Sequence, residues 1–166
     1  MKRAWNIFSN LFFAILLFFV AAFGGVRLLG LSPYTVASGS MEPDYPVGSL
    51  IYVADTTPED IQEGDVLTFY KNNGSIVATH QVYEVDRERE EFYTQGINNR
   101  DSSGNILHDS EPVRYSSVIG CPVIAIPYLG YVNRFCTTAP GIYILAGITA
   151  TTILISVKVD RTAKQH

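Results

Sequence analysis

Two stretches of this chain carry no charge, and the sequence between them alternates between short apolar runs and polar turns. Residues 4–26, AWNIFSNLFFAILLFFVAAFGGV, are 23 positions without an acid or a base, and residues 135–157, FCTTAPGIYILAGITATTILISV, are 23 more. A helix of about 20 mainly apolar residues crosses a bilayer, so each run predicts a membrane span. A cleavable leader would have an apolar region of about 7–15 residues followed by a small-residue cleavage site. The first run is longer and is followed by Arg27, which favours a permanent anchor. Lys2 and Arg3 flank the first run, and Lys158, Arg161 and Lys164 follow the second. Cytoplasmic flanks are rich in Lys and Arg, so both ends are expected in the cytoplasm and the middle outside. The expected organisation is an anchor over 1–31, an extracytoplasmic β domain over 32–134, a second transmembrane helix over 135–157 and a cytoplasmic tail over 158–166.

The middle reads as strands separated by turns. Val47–Val53 and Val66–Tyr70 have strand composition. Between them, Pro58 suits the first turn of a short helix with Thr57 as its cap. Lys71-Asn72-Asn73-Gly74 is a hairpin-type turn, since Asn and Gly tolerate positive φ. Ser75–Val85 then predicts a long strand with Ile76, Ala78, His80, Val82 and Glu84 on one face. Asp86–Glu91 reads as a solvated turn and Phe92–Gln95 as another strand. Residues 97–111, INNRDSSGNILHDSE, read as a loop by composition. Val113–Val132 returns to strand-like runs broken by Gly and Pro. With no long amphipathic helix between the spans, the fold class expected is mainly β, a β-strand domain held between two transmembrane helices.

Charge sharpens this picture. The net charge is −4, but residues 32–137 hold 15 acids against 6 bases. An acidic middle argues against nucleic acid as the partner. Two cysteines, Cys121 and Cys136, are too few for a disulfide framework and read as small apolar residues.

The candidate chemistry lies in Ser38-Gly39-Ser40-Met41-Glu42-Pro43, a Gly- and Pro-bounded segment just beyond the first span. In an extended backbone Ser38 and Ser40 share a face and Met41 points the other way. A serine hydroxyl needs a neighbouring base to become a nucleophile. Outside the spans the candidates are His80, on a strand with apolar neighbours, His108, in the polar loop, and Lys71, in the hairpin turn where it is expected to be solvated. A carboxylate that orients an imidazole improves such a pair, and the loop offers Asp101 and Asp109. Oxyanion donors are at hand in the Ser40 backbone N–H and the Ser38 hydroxyl. No His pair at helical spacing, Cys cluster or Gly-rich phosphate loop is present, so no metal or cofactor is expected.

These residues resemble the type I signal peptidases, and specifically their Ser–His subclass of the endoplasmic reticulum, archaea and some Gram-positive bacteria. The resemblance covers about residues 5–132. Ser38–Pro43 is similar to the family's nucleophile box, in which the Ser before Met attacks. Val47–Val53 and Gly64–Phe69 resemble the strands that follow. Thr79-His80-Gln81-Val82 falls where the subclass has its general base, and Gly120–Gly130 resembles the closing strand. One segment departs: Ile97 follows Gly96 where the family's first Asp is expected. Asp109-Ser110-Glu111-Pro112-Val113 resembles the family's Asp shortly before Pro-Val and is the preferred orienting residue, while Asp101 is nearer the usual distance from Gly96.

The resemblance implies a membrane-bound serine endopeptidase that cleaves signal peptides from exported preproteins. It implies catalytic Ser40 and His80, one of Asp109 and Asp101, Ser38 at the oxyanion, and no cofactor. It implies the lipid bilayer and signal-peptide-bearing preproteins as partners and leaves accessory subunits open. The active site is expected on the extracytoplasmic face of a multi-pass cell-membrane protein, or in the endoplasmic-reticulum membrane in a eukaryote. The alternative is a non-catalytic membrane subunit that binds or assembles exported proteins on the same scaffold, to which Ile97 lends weight and which Ser40 and His80 oppose.

Overall fold

A computed structural model describes residues 2–72 and 74–164. It divides into two compact units, one formed by the chain up to Val26 and from Val132 onward, the other by Arg27–Tyr131.

The first unit is helical. Helix α1 spans Lys2–Phe23, about 33 Å at 1.5 Å per residue, which matches a bilayer's hydrocarbon thickness of about 30 Å. The second apolar run is divided. Helix α2, Leu129–Thr137, ends just before α3, Ala139–Lys164. Pro140 lacks an N–H and its ring clashes with the carbonyl four residues back, so α2 cannot continue through it. The segment of α3 long and apolar enough to cross a membrane is Ala139–Val159. Its threonines are satisfied within the helix: Thr149, Thr151 and Thr152 donate to the carbonyls of Leu145, Gly147 and Ile148 at 2.7–2.8 Å, as hydroxyls on a helix of membrane-spanning character require. Trp5 Nε1 donates to Ser156 Oγ at 3.1 Å, so the start of α1 and the end of α3 lie side by side.

The second unit is an antiparallel sheet. Its strands are β1 (Leu31–Thr35), β2 (Leu50–Ala54), β3 (Val66–Lys71), β4 (Ile76–Asp86), β5 (Glu91–Arg100), β6 (Ile106–His108), β7 (Val113–Arg114) and β8 (Val118–Ile126), in the order β1-β2-β8-β3-β4-β5-β6, with β7 also on β5. Ile61, Leu67, Phe69, Val82, Phe92 and Val113 form the core, each burial being favourable by about 1.5–3 kcal/mol. Gly120 lets β8 cross β2 closely: its φ is +145°, and a Cβ there would fall 1.9 Å from the Ala54 carbonyl oxygen.

Several local expectations are corrected. Strand β1 lies in Leu31–Thr35, where none was expected, and pairs with Leu50–Ala54 across Pro33↔Tyr52. Thr57 sits at the cap of the short 3-10 turn Pro58–Asp60, but its side chain makes no capping bond. In β4 a bulge between Val82 and Glu84 shifts the register. Glu84 is therefore exposed and Val85 takes its place against the core. The turn after β4 is exposed as expected, and Arg87 within it also donates from its guanidinium to the carbonyls of Glu59 and Ile61 at 2.8 and 2.7 Å. The segment 97–111 is not a continuous loop: β5 runs through Arg100 and β6 returns over Ile106–His108. Residues from Leu129 are helical rather than strand. Of the Asn73-Gly74 turn, Asn73 lies outside the described residues, while Asn72 and Gly74 have φ of 51° and 86°.

Candidate active site

Ser38 and Ser40 lie in the segment that links β1 to β2, and their hydroxyls are 3.3 Å apart. Met41, two per cent exposed, anchors that segment in the protein. Strand β5 fastens it from the other side. Asn98 donates from its backbone N–H to the Ser40 carbonyl at 2.8 Å and from its side-chain amide to the Gly39 carbonyl at 2.9 Å. Gly96 is the closest approach: a Cβ at that position would stand 2.9 Å from both the Cβ and the carbonyl oxygen of Ser40.

His80 comes from the middle of β4, opposite Leu67 of β3, with its ring edge-on to Phe69 at a centroid distance of 6.3 Å. Its Nε2 is 3.2 Å from Ser40 Oγ and its Nδ1 is 2.5 Å from Asp109 Oδ2. Thr94 of β5 donates to the same carboxylate oxygen at 2.7 Å, and the Asp109 backbone N–H donates to the Thr94 carbonyl at 2.9 Å. Lys71 Nζ lies 3.4 Å from Asp109 Oδ1.

The side chains of His80 and Asp109 are each only 11% exposed. Burial pushes the Asp109 carboxyl up, but the hydrogen bonds from His80 and Thr94 and the positive charge of His80 and Lys71 outweigh it and hold the group down at about 2. The ionised carboxylate can only accept, which fixes the order of the chain. His80 Nδ1–H donates to Asp109; in the neutral imidazole Nε2 then has the lone pair and accepts from Ser40, and the Ser38 hydroxyl is free to donate to Ser40 Oγ. An acceptor nitrogen beside a serine hydroxyl is the arrangement that draws off the proton as the oxygen attacks a carbonyl.

Of the two aspartates, Asp101 is committed to its own turn. Its carboxylate accepts from the backbone N–H groups of Ser103 and Asn105 at 2.8 and 2.9 Å and from the Asn105 side chain at 3.1 Å. Those bonds to Asn105, the side-chain one first, lower its pKa. His108 stacks on Tyr83 at 3.9 Å. Ile97, half-buried, lies between Gly96 and Asn98 in the part of β5 where the pairing with β6 loses register between Gln95 and Arg100. A cavity of about 310 Å³ opens beside Ser40 and His80, with Tyr34, Ala37, Tyr45 and Ala78 in its lining. No set of three or more His, Cys, Asp or Glu side chains among the described residues is arranged to share a metal ion.

Sequence reasoning missed Thr94, Gly96 and Asn98, and it took Lys71 for a solvated turn residue. The signal for Thr94 and Gly96 was the two-residue period once β5 is extended beyond Gln95; Asn98 lies where β5 loses register with β6, which local sequence does not show.

The profile of the family described as "Signal peptidase, peptidase S26" matches residues 7–95, a span that holds Ser40 and His80 and stops short of Asp109. Signal peptidase I W of Bacillus subtilis (strain 168) is 33% identical over 128 residues, covering 71% of this chain and 64% of its own length. The signal peptidase complex catalytic subunit SEC11C of Rattus norvegicus is 27% identical over 125 residues, covering 72% and 65%. The Homo sapiens protein of the same name is 28% identical over 109 residues, covering 63% and 57%. The chain spans less than two thirds of the length of each of these relatives.

Proposed function

The chain belongs to the signal peptidase family, peptidase S26, and on that footing we propose that it is a membrane-bound serine endopeptidase that removes signal peptides from exported preproteins. The observation that carries the proposal is the hydrogen-bonded series Ser40–His80–Asp109, with contacts of 3.2 and 2.5 Å.

Ser40 Oγ attacks the scissile carbonyl carbon as its proton passes to His80 Nε2. The carbonyl π electrons move to the oxygen, and the resulting oxyanion accepts from the Ser38 hydroxyl and the Ser40 backbone N–H. Asp109 stabilises the imidazolium and keeps the ring turned toward Ser40. Collapse of the tetrahedral intermediate breaks the C–N bond, and the leaving amine takes the proton from Nε2. Water then attacks the Ser40 ester, with His80 taking its proton and returning one to Ser40 Oγ. The mechanism calls on no cofactor. Asp101, held in its own turn, takes no part.

The substrate is an extended peptide added beside β1, which ends the strand order, with small side chains toward the cavity of about 310 Å³ beside Ser40. Helices α1 and α3 cross the bilayer, with residues 32–134 outside and both flanks in the cytoplasm, as the flanking Lys and Arg residues argue. Processing occurs at the membrane surface, because the substrate's own apolar segment lies in the bilayer. Two of the relatives are catalytic subunits of a signal peptidase complex, which supports accessory subunits as further partners. The test is to incubate the purified chain, in detergent or vesicles, with a preprotein and to sequence the product. Release of the mature N-terminus supports the proposal, and an unprocessed preprotein overturns it.

A further inference from the structure

Asp109 has two carboxylate oxygens, and they are engaged differently. Oδ2 accepts from His80 Nδ1 at 2.5 Å and from Thr94 Oγ1 at 2.7 Å. Oδ1 faces the Lys71 ammonium at 3.4 Å. Lys71 is the last residue of β3 and pairs with Ile76 at the start of β4, so it reaches Asp109 from the strand next to the one that carries His80. Two other carboxylates, Glu91 and Glu111, line the same cavity of about 590 Å³ as Lys71, yet the ammonium pairs with Asp109.

Ion pairs between two solvated side chains contribute little, because both chains must be ordered and water screens the charge. Here Asp109 is held at one oxygen, Oδ2, by two hydrogen bonds and is 11% exposed, so the pair with the lysine, 32% exposed, orders less than one between two solvated chains. We propose that Lys71 is a positioning residue: its ammonium holds the outer oxygen of Asp109 and so fixes the rotation of the carboxylate with Oδ2 in line with His80 Nδ1. The proposal rests on the reading of Ser40, His80 and Asp109 as the catalytic set. The carboxylate torsion is broad and two-fold, so without a partner on Oδ1 the group can turn and exchange the oxygen offered to the imidazole.

The test compares wild type, Lys71→Met, Lys71→Arg, Asp109→Asn and the Lys71→Met/Asp109→Asn double variant, all as full chains in detergent. Preprotein cleavage is measured alongside a carbon-13 NMR titration of the Asp109 carboxyl. Lys71→Met should lower kcat about tenfold, within the range for directly contacting residues, with KM unchanged. Lys71→Arg should regain most of the loss. In the Asp109→Asn background Lys71→Met should cost nothing further, since there is no charge left to hold. The carboxyl should titrate higher in Lys71→Met and return toward the wild-type position in Lys71→Arg. An unchanged kcat in Lys71→Met would overturn the proposal. So would an equal loss in the Asp109→Asn background, which marks a general structural effect. The ratio of wild type to Ser40→Ala reads the catalytic assignment by itself: a ratio near one would overturn that assignment and the positioning role with it.

Discussion

Asn98 fastens the Ser40 segment at two points, its backbone N–H on the Ser40 carbonyl at 2.8 Å and its side-chain amide on the Gly39 carbonyl at 2.9 Å. The nucleophile segment has no regular secondary structure of its own, so these bonds to a neighbouring strand hold it where His80 can reach the hydroxyl. Asn98→Ala removes the side-chain bond and keeps the backbone one. A neutral hydrogen bond contributes about 0.5–1.5 kcal/mol, so cleavage should slow by roughly three- to tenfold. Single-turnover kinetics on a preprotein check this, and an unchanged rate would show that the backbone bond alone suffices.

Gly96 supports the same segment by leaving space. Gly96→Ala places a methyl group 2.9 Å from the Ser40 carbonyl oxygen and 2.6 Å from Asn99 Nδ2, so the Ser40 backbone must shift. A displacement of about 1 Å at a reacting group can cost on the order of 100-fold in rate. The variant should keep the β-sheet circular-dichroism spectrum of wild type and lose cleavage by about that factor. Unimpaired cleavage would mean that the strand and the segment yield together.

The carboxylates give a prediction in pH. Asp109 is held at about 2 in the fold, below the 3.8 of a free aspartate. A lowered pKa means that the fold favours the ionised form, so this contribution is fully present above about 4 and is lost as pH falls toward 2. Its size is about 2 kcal/mol. Thermal unfolding of wild type in detergent should therefore weaken between pH 4 and 2 more than that of Asp109→Asn. At neutral pH, Asp109→Asn should lower kcat by orders of magnitude, because an amide there favours the wrong imidazole tautomer. Asp101→Asn should change kcat by less than about twofold while loosening the turn over residues 101–105. A large kcat loss in Asp101→Asn with little in Asp109→Asn would reverse the assignment.

Thr94 shares Oδ2 of Asp109 with His80. Thr94→Val keeps the shape and removes the donor, and a hydrogen bond to a charged group is worth about 1.5–3 kcal/mol. The carboxyl should titrate higher than in wild type by carbon-13 NMR, and kcat should fall by roughly tenfold. An unmoved titration would show that His80 and Lys71 alone set the charge of the group.

What the sequence made legible, and what it hid, follows from the range of each signal. The apolar runs beginning at Ala4 and Phe135 are long and charge-free, so two membrane-length helices could be read directly, although the second starts only at Ala139, after the break at Thr138. The position of His80 on β4 followed from alternation with Ala78 and Val82, and the pairing of Ser38 with Ser40 from a spacing of two. The β4 bulge was hidden because it arises from pairing with β5, and it moved Glu84 out and Val85 in. The extension of β5 through Arg100 was hidden because Asn98, Asn99 and Arg100 are polar; they stay in the strand because Asn98 bonds the Ser40 segment and Arg100 pairs with Ile106. Helix α2 was hidden by the apolar continuity of residues 123–132, which carries no period that separates strand from helix. Local composition put Asp101 and Asp109 in one loop, and only the pairing of β5 with β6 turns Asp109 toward His80.

The most direct measurement is the rate at which Ser40→Ala processes a preprotein, set beside wild type and Ser38→Ala under identical conditions. With Ser40 as the attacking group, Ser40→Ala should yield no mature product while remaining folded and inserted. Ser38→Ala should retain a reduced rate, lower by about 100- to 1,000-fold for the loss of one oxyanion donor. Mature product from Ser40→Ala at a rate near that of wild type would contradict the assignment of the nucleophile and of the site built around it.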